Sequence, residues 1–154
     1  MNGDNNKMSF ESKNLSPGIS LCDLGHHGDQ AVVVNFLNEP PLLYLSNATA
    51  PRVSVALRGA RGNTRGIGAR IIVRGGPYEQ SQEMIAGGRY LAGDEPLRSF
   101  AAGQAQSLTI EVAWPSGKRT VVTGAKPNHA YEIHEKNTPP KPPPLAKPGL
   151  TPFI

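Results

Sequence analysis

Between Arg52 and Arg74 the chain reads RVSVALRGARGNTRGIGARIIVR, and apolar residues alternate with polar ones at both ends of the stretch. Val53, Val55 and Leu57 fall on one face, with Arg52, Ser54, Ala56 and Arg58 on the other. Ile67, Ala69, Ile71 and Val73 repeat the pattern against Gly68, Arg70, Ile72 and Arg74. A period of two sends successive side chains to opposite faces of a sheet, so each segment predicts a half-buried strand. Between them, Gly59, Gly62, Asn63 and Gly66 permit positive φ and tight turns. The pattern predicts a β-hairpin with a long, mobile loop, with a non-hairpin connection as the alternative.

The rest of the chain is punctuated in the same way. Ala31–Leu37 and Leu42–Leu45 predict two strands around the turn Asn38–Pro41. Such a hairpin is marginal in water and must pack on something else. After the turn at Gly75–Pro77, Tyr78–Ala86 predicts a polar strand near an edge. Gly87 and Gly88 break it, Arg89–Ala92 resumes it, and Gly93–Pro96 turns the chain again. Leu97–Ala101 follows. Ser107–Trp114 then puts Leu108, Ile110, Val112 and Trp114 on one side. Pro115–Gly117 turns the chain before Lys118–Thr123 and His129–His134. About seven short strands with turns every 8–12 residues argue for an all-β fold, an antiparallel sandwich or partly open barrel. Residues 1–17 form a polar leader expected to be disordered. Residues 18–48 carry the hairpin, 52–135 the β-domain, and 136–154 a Pro-rich tail that favours extended polyproline II.

Composition adds boundaries rather than a function. A chain of 154 residues has room for one domain with tails. The net charge of +4 is too small an excess to name a partner class. Cys22 stands alone, which excludes an internal disulfide and a cysteine-rich metal site. No apolar run is long enough for a membrane-spanning helix, and no signal peptide is visible, so the chain as written is expected in the cytoplasm.

Candidate chemistry is sparse. Arg52, Arg58, Arg61, Arg65, Arg70 and Arg74 occur without an intervening acid. The alternation puts four of them on one outer sheet face and two in the loop, a candidate polyanion-binding face. No aromatic residue interleaves, so base stacking is not supported. His26 and His27 beside Asp23 and Asp29 have transition-metal ligand types, but a solvated turn is the commoner reading. His129 and His134, five apart in a strand, face opposite ways. Ser116 lacks a nucleophile elbow, and the adjacent Asp94 and Glu95 diverge in an extended chain, which spoils paired acid–base work. Gly66 and Gly68 precede no helix and make no dinucleotide fingerprint. Cys22 reads as a tolerated thiol, and Asn47–Thr49 is a glycosylation sequon relevant only to a secretory setting. Catalytic, metal and cofactor sites are therefore all read as none.

Four ordered blocks carry a resemblance: VALRGARGN (Val55–Asn63), GIGAR (Gly66–Arg70), GRYL (Gly88–Leu91) and EVAWPSG (Glu111–Gly117). Together they resemble the ASPIC/UnbV domain over Arg52–Glu135. That family includes the C-terminal part of cartilage acidic proteins and proteins encoded with enediyne biosynthesis. Phe100–Gly103 reads FAAG where the family usually has an FGLG-like segment. The resemblance implies a domain that follows a β-propeller of FG-GAP/VCBS-type repeats, in proteins that are secreted or held in the cell envelope. Asp23–Asn47 is similar to the end of such a repeat. At the positions of its calcium loop stand Asp23, Gly25, His27, Gly28, Asp29 and Ala31. Three expected carboxylates are missing, and calcium needs several oxygen ligands, so this degenerate loop (Asp23, His27, Asp29) is expected to be inactive. The resemblance implies a truncated relative acting as a non-enzymatic interaction or structural module. Its expected partner is a propeller or a second copy of the chain. Polyanion binding and an accessory role in secondary-metabolite biosynthesis are the alternatives.

Overall fold

The computed structural model describes residues 18–25 and 30–137. The expected leader, His26, His27, Asp29 and most of the Pro-rich tail lie outside them. In chain order the strands are β1 (Gly18–Cys22), β2 (Ala31–Asn35), β3 (Leu42–Tyr44), β4 (Arg52–Arg58), β5 (Arg70–Arg74) and β6 (Gln80–Glu83). They continue as β7 (Gly88–Arg89), β8 (Ala92–Gly93), β9 (Leu97–Ala101), β10 (Leu108–Ala113), β11 (Arg119–Ala125) and β12 (His129–His134). A single 3-10 turn, Glu135–Asn137, closes the described chain.

The fold is all-β, and two sheets form its sandwich. One has the order β12-β4-β9 and the other β11-β10-β5-β6. Val53, Val55 and Leu57 from β4 meet Ile71 and Val73 from β5 and Ile110 and Val112 from β10, all buried in one core with Phe100, Met84, Trp114 and Ile133. The alternation thus identified the inward faces of β4, β5 and β10, although Ser54, expected on the polar face of β4, is itself buried. β12 lies parallel to β4, while the other neighbours pair antiparallel.

The expected hairpin between Arg52–Arg58 and Ile67–Arg74 does not form. β4 pairs with β9 and β12, and β5 with β10 and β6. The connection therefore crosses from one layer to the other. Alternation fixes which face a strand buries but not which strand lies beside it. The connection is also tied rather than loose. Gly59 N–H donates to Thr64 O, Gly66 N–H to Asn63 O and Ala69 N–H to Gly66 O. The Asn63 side chain accepts from Ile67 N–H and donates to Ile67 O, both at 2.8 Å. These turns delay the second strand to Arg70, although Ala69 is already fully buried.

β6 is the predicted polar edge strand, and it does not end in open backbone. Gln80 donates to Ala101 O at 2.8 Å and accepts from Ala101 N–H at 2.9 Å, so one side-chain amide replaces a missing strand beside β9. Gln82 donates to Ser99 O at 2.9 Å. The two layers are stitched along this side, which protects the β9 edge from pairing with another chain. Gln80→Ala leaves one donor and one acceptor to solvent and should lower stability by about 1–2 kcal/mol in urea unfolding. An unchanged midpoint would mean that water serves that edge equally well.

The N-terminal segment is a three-stranded meander, β1-β2-β3, rather than the expected hairpin alone. β1 is short, and Ile19 and Leu21 give too little alternation to mark it. Its outer edge is held by the 94–95 turn. Leu21 N–H donates to Asp94 at 2.9 Å, Asp23 N–H donates to Glu95 at 2.7 Å, and Glu95 N–H returns to Leu21 O. Asp94 and Glu95 thus serve successive outward amides of one strand. Burial works against ionisation of Asp94, but the Arg89 guanidinium and the Leu21 amide outweigh it and hold the carboxyl below its ordinary value. Beside this junction Cys22 is partly covered, and burial with the charges of Glu95 and Asp23 pushes its thiol up, away from nucleophilic reactivity.

Candidate functional site

Three of the four sequence blocks meet at one end of the sandwich. β4 and β12 run side by side to this end, with Arg58 opposite His134. There the chain leaves β4 into the crossing loop and leaves β12 into the 3-10 turn. The hairpin between β10 and β11 arrives at the same place. Its turn is closed by Trp114 N–H to Lys118 O and Gly117 N–H to Trp114 O.

Glu135 ties the three segments together. Its side chain accepts from Ala60 N–H at 2.6 Å and from the Ser116 hydroxyl at 2.5 Å, and the residue is only 7% exposed. A carboxylate removed from water is stable only where donors replace its hydration. The Ser116 hydrogen bond, then the Ala60 amide, hold the Glu135 carboxyl below its usual range against the opposing effect of burial. The nearby charges of Lys118 and Arg61 act in the same direction.

Above this carboxylate lies an open cleft of about 300 Å3, lined by Ala60, Arg61, Asn63, Pro115, Ser116, Lys118 and Glu135. Arg61 sits in the left-handed region at φ 59°. For a residue other than glycine, Asn or Asp this conformation is uncommon and costs free energy, so the loop must impose it. Behind the cleft Gly66, at φ +65°, lies so close to Leu57 and Trp114 that an added Cβ would stand 2.9 Å from Leu57 Cβ and 3.1 Å from Trp114 Cζ3. Trp114 itself donates from Nε1 to Thr120 Oγ1 at 2.8 Å.

The six arginines are not gathered on one face, because β4 and β5 belong to different sheets. Arg52 is turned back on Ala50 O and Ala48 O. Arg58 pairs with Glu132 at 2.8 Å. Arg70 donates to Ser81 at 3.0 Å. Arg74 bridges Glu79 and Glu111. Of the six, Arg61 lines the cleft and Arg65 stands exposed in the same loop. Lys118, Glu135 and the structural use of Ser116 escaped sequence reasoning, since they lie far from the loop in the chain. Asp23 is buried, with its backbone held by Glu95. His129 and His134 are both exposed; His134 lies 2.9 Å from Glu132 and His129 bonds Pro127 O. Among the described residues no group of three or more His, Cys, Asp or Glu is placed to hold a metal ion.

Fold and site together define a small all-β sandwich domain with a cleft built from a crossing loop, a hairpin turn and one buried carboxylate. Residues 59–140, just over half of the chain, match the family described as ASPIC and UnbV, and the chain belongs to that family. The match begins at the crossing loop, one residue after β4. No curated protein matches the chain.

Proposed function

We propose that this chain is a non-enzymatic interaction module, accessory to an FG-GAP/VCBS-type propeller, with β1–β3 as its docking sheet. The observation that carries the reading is the exposed apolar surface of that sheet. Leu42, Leu43 and Leu45 are 44%, 52% and 61% exposed, and Leu37 is 60% exposed beside them. By register Leu42 shares one face with Ile19, Leu21, Val32, Tyr44 and the buried Val34, while Leu43 lies on the other with Ser20 and Val33, so β3 presents leucines to both sides, and no strand lies beyond it among the described residues. Exposed apolar side chains gathered on one edge strand mark an interaction site, and the strand edge offers backbone hydrogen bonds to the same partner. The Arg-face polyanion reading has no comparable support, since four of its six arginines are engaged on separate sheets. An accessory role in secondary metabolism rests on the family alone.

Titration of this chain into a separately produced FG-GAP/VCBS propeller of a family relative tests the proposal by calorimetry. Saturable binding is expected, and the double change Leu43→Lys/Leu45→Lys should abolish it without altering the Trp114 fluorescence of the sandwich. Absence of heat with the unaltered chain, or binding indifferent to the lysines, would contradict the reading.

A further inference from the structure

We propose that the cleft above Glu135 is a carboxylate-binding site that takes one acidic side chain of a docked polypeptide, with Arg61 and Lys118 as its cationic walls. Neither the Arg61 guanidinium nor the Lys118 ammonium makes a hydrogen bond or an ion pair among the described residues; each acts only at longer range on Glu135. Both face the cleft, and Glu135 forms part of its lining. Two cations against one ionised carboxylate leave a single positive charge. That matches a monoanion. A phosphate or sulfate group would bring a larger negative charge up to the Glu135 carboxylate, and like charges at close range in a partly dehydrated site repel strongly.

The shape points the same way. A planar guanidinium presents paired N–H donors that fit a carboxylate, and an ammonium adds a point charge from a second direction. The volume of about 300 Å3 suits a side chain with its adjoining peptide group rather than a large cofactor. The left-handed backbone at Arg61 is imposed by a loop that is itself fastened to Glu135 through Ala60. One wall of the cleft is therefore set before any ligand arrives, which reduces the ordering cost of binding. The choice of a polypeptide over a free acid rests on the interaction-module reading given above.

The test uses the full chain and a blocked hexaglutamate peptide, followed by amide chemical shifts and calorimetry. Saturable shifts are expected at Ala60, Arg61, Ser116 and Lys118. Arg61→Gln and Lys118→Gln should each weaken binding at least tenfold, while Arg70→Gln, whose side chain bonds Ser81 outside the cleft, should leave it within twofold. Intact Trp114 fluorescence in each variant would confirm that the sandwich is folded. Shifts that never saturate, or an Arg70→Gln effect equal to that of Arg61→Gln, would overturn the site. Glutarate binding as tightly as the peptide would overturn the polypeptide source and keep the carboxylate. Inorganic phosphate binding more tightly than glutarate would overturn the carboxylate assignment. Leu43→Lys/Leu45→Lys separates the two readings: propeller docking indifferent to the lysines, with hexaglutamate binding retained, would tell against the docking sheet alone.

Discussion

Trp114→Ala is expected to destabilise the chain by about 3–5 kcal/mol, the range for truncating a buried aromatic side chain. Trp114 is 3% exposed, belongs to the same core as Leu57 and Ile133, and spends its indole N–H on Thr120. Its loss would leave a cavity and remove the indole donor from Thr120. Gly66→Ala attacks the same contact from the other side. Its positive φ disfavours any Cβ, and that Cβ would press on Leu57 and Trp114. The double variant should be less unstable than the sum of the two singles, because truncating Trp114 makes room for one of the two clashes. Denaturant unfolding of all four proteins measures this coupling. Strict additivity would mean that Gly66 and Trp114 do not share the packing described.

Glu135→Ala is the second large effect, expected at about 2–4 kcal/mol, since removing a charged acceptor leaves the Ala60 amide and the Ser116 hydroxyl without their partner. This contribution depends on pH with a definite sign. The folded carboxyl lies below its usual value, so the unfolded chain binds the proton more readily. The stabilisation is complete above the ordinary glutamate range near pH 4.3 and disappears as pH falls through the lower folded value. Glu135→Gln keeps the shape and removes the charge. The stability gap between wild type and Glu135→Gln should therefore be constant near neutrality and shrink below about pH 4. A gap that widened on acidification would reverse the assignment of Glu135 as an ionised tie.

The contrast between what was and was not legible has one physical origin. Val53, Val55, Leu57, Leu108, Ile110, Val112 and Trp114 declare their inward face locally, because each strand carries its own alternation. Strand limits at Leu97–Ala101 and His129–His134 were set by flanking turn residues and agree with the structure. Partners are a different matter. Whether β4 lies beside β5 or beside β12 depends on the path of the loop between, and an Asn63 side chain folding back on Ile67 leaves no periodic trace. Met84 was hidden for a similar reason. It is fully buried although its neighbours in β6 are polar, since its backbone pairs with Gly68 and Ala69 beyond the regular ladder. The cleft was the least legible part. Arg61, Ser116, Lys118 and Glu135 come from three turns, and only the parallel run of β4 and β12 delivers the first and last of these to the same end. The arginine cluster, conspicuous in one dimension, is divided by the layer crossing in three.

That crossing underlies both the core and the cleft, and cross-strand nuclear Overhauser effects read it directly. Backbone contacts from Val55 to Tyr131 and from Leu57 to Ile133, with none between Arg52–Arg58 and Arg70–Arg74, are the predicted result. Contacts linking Val55 to Ile71 or Ile72 through their backbones would restore a hairpin, and the site built on Glu135 would fall with it.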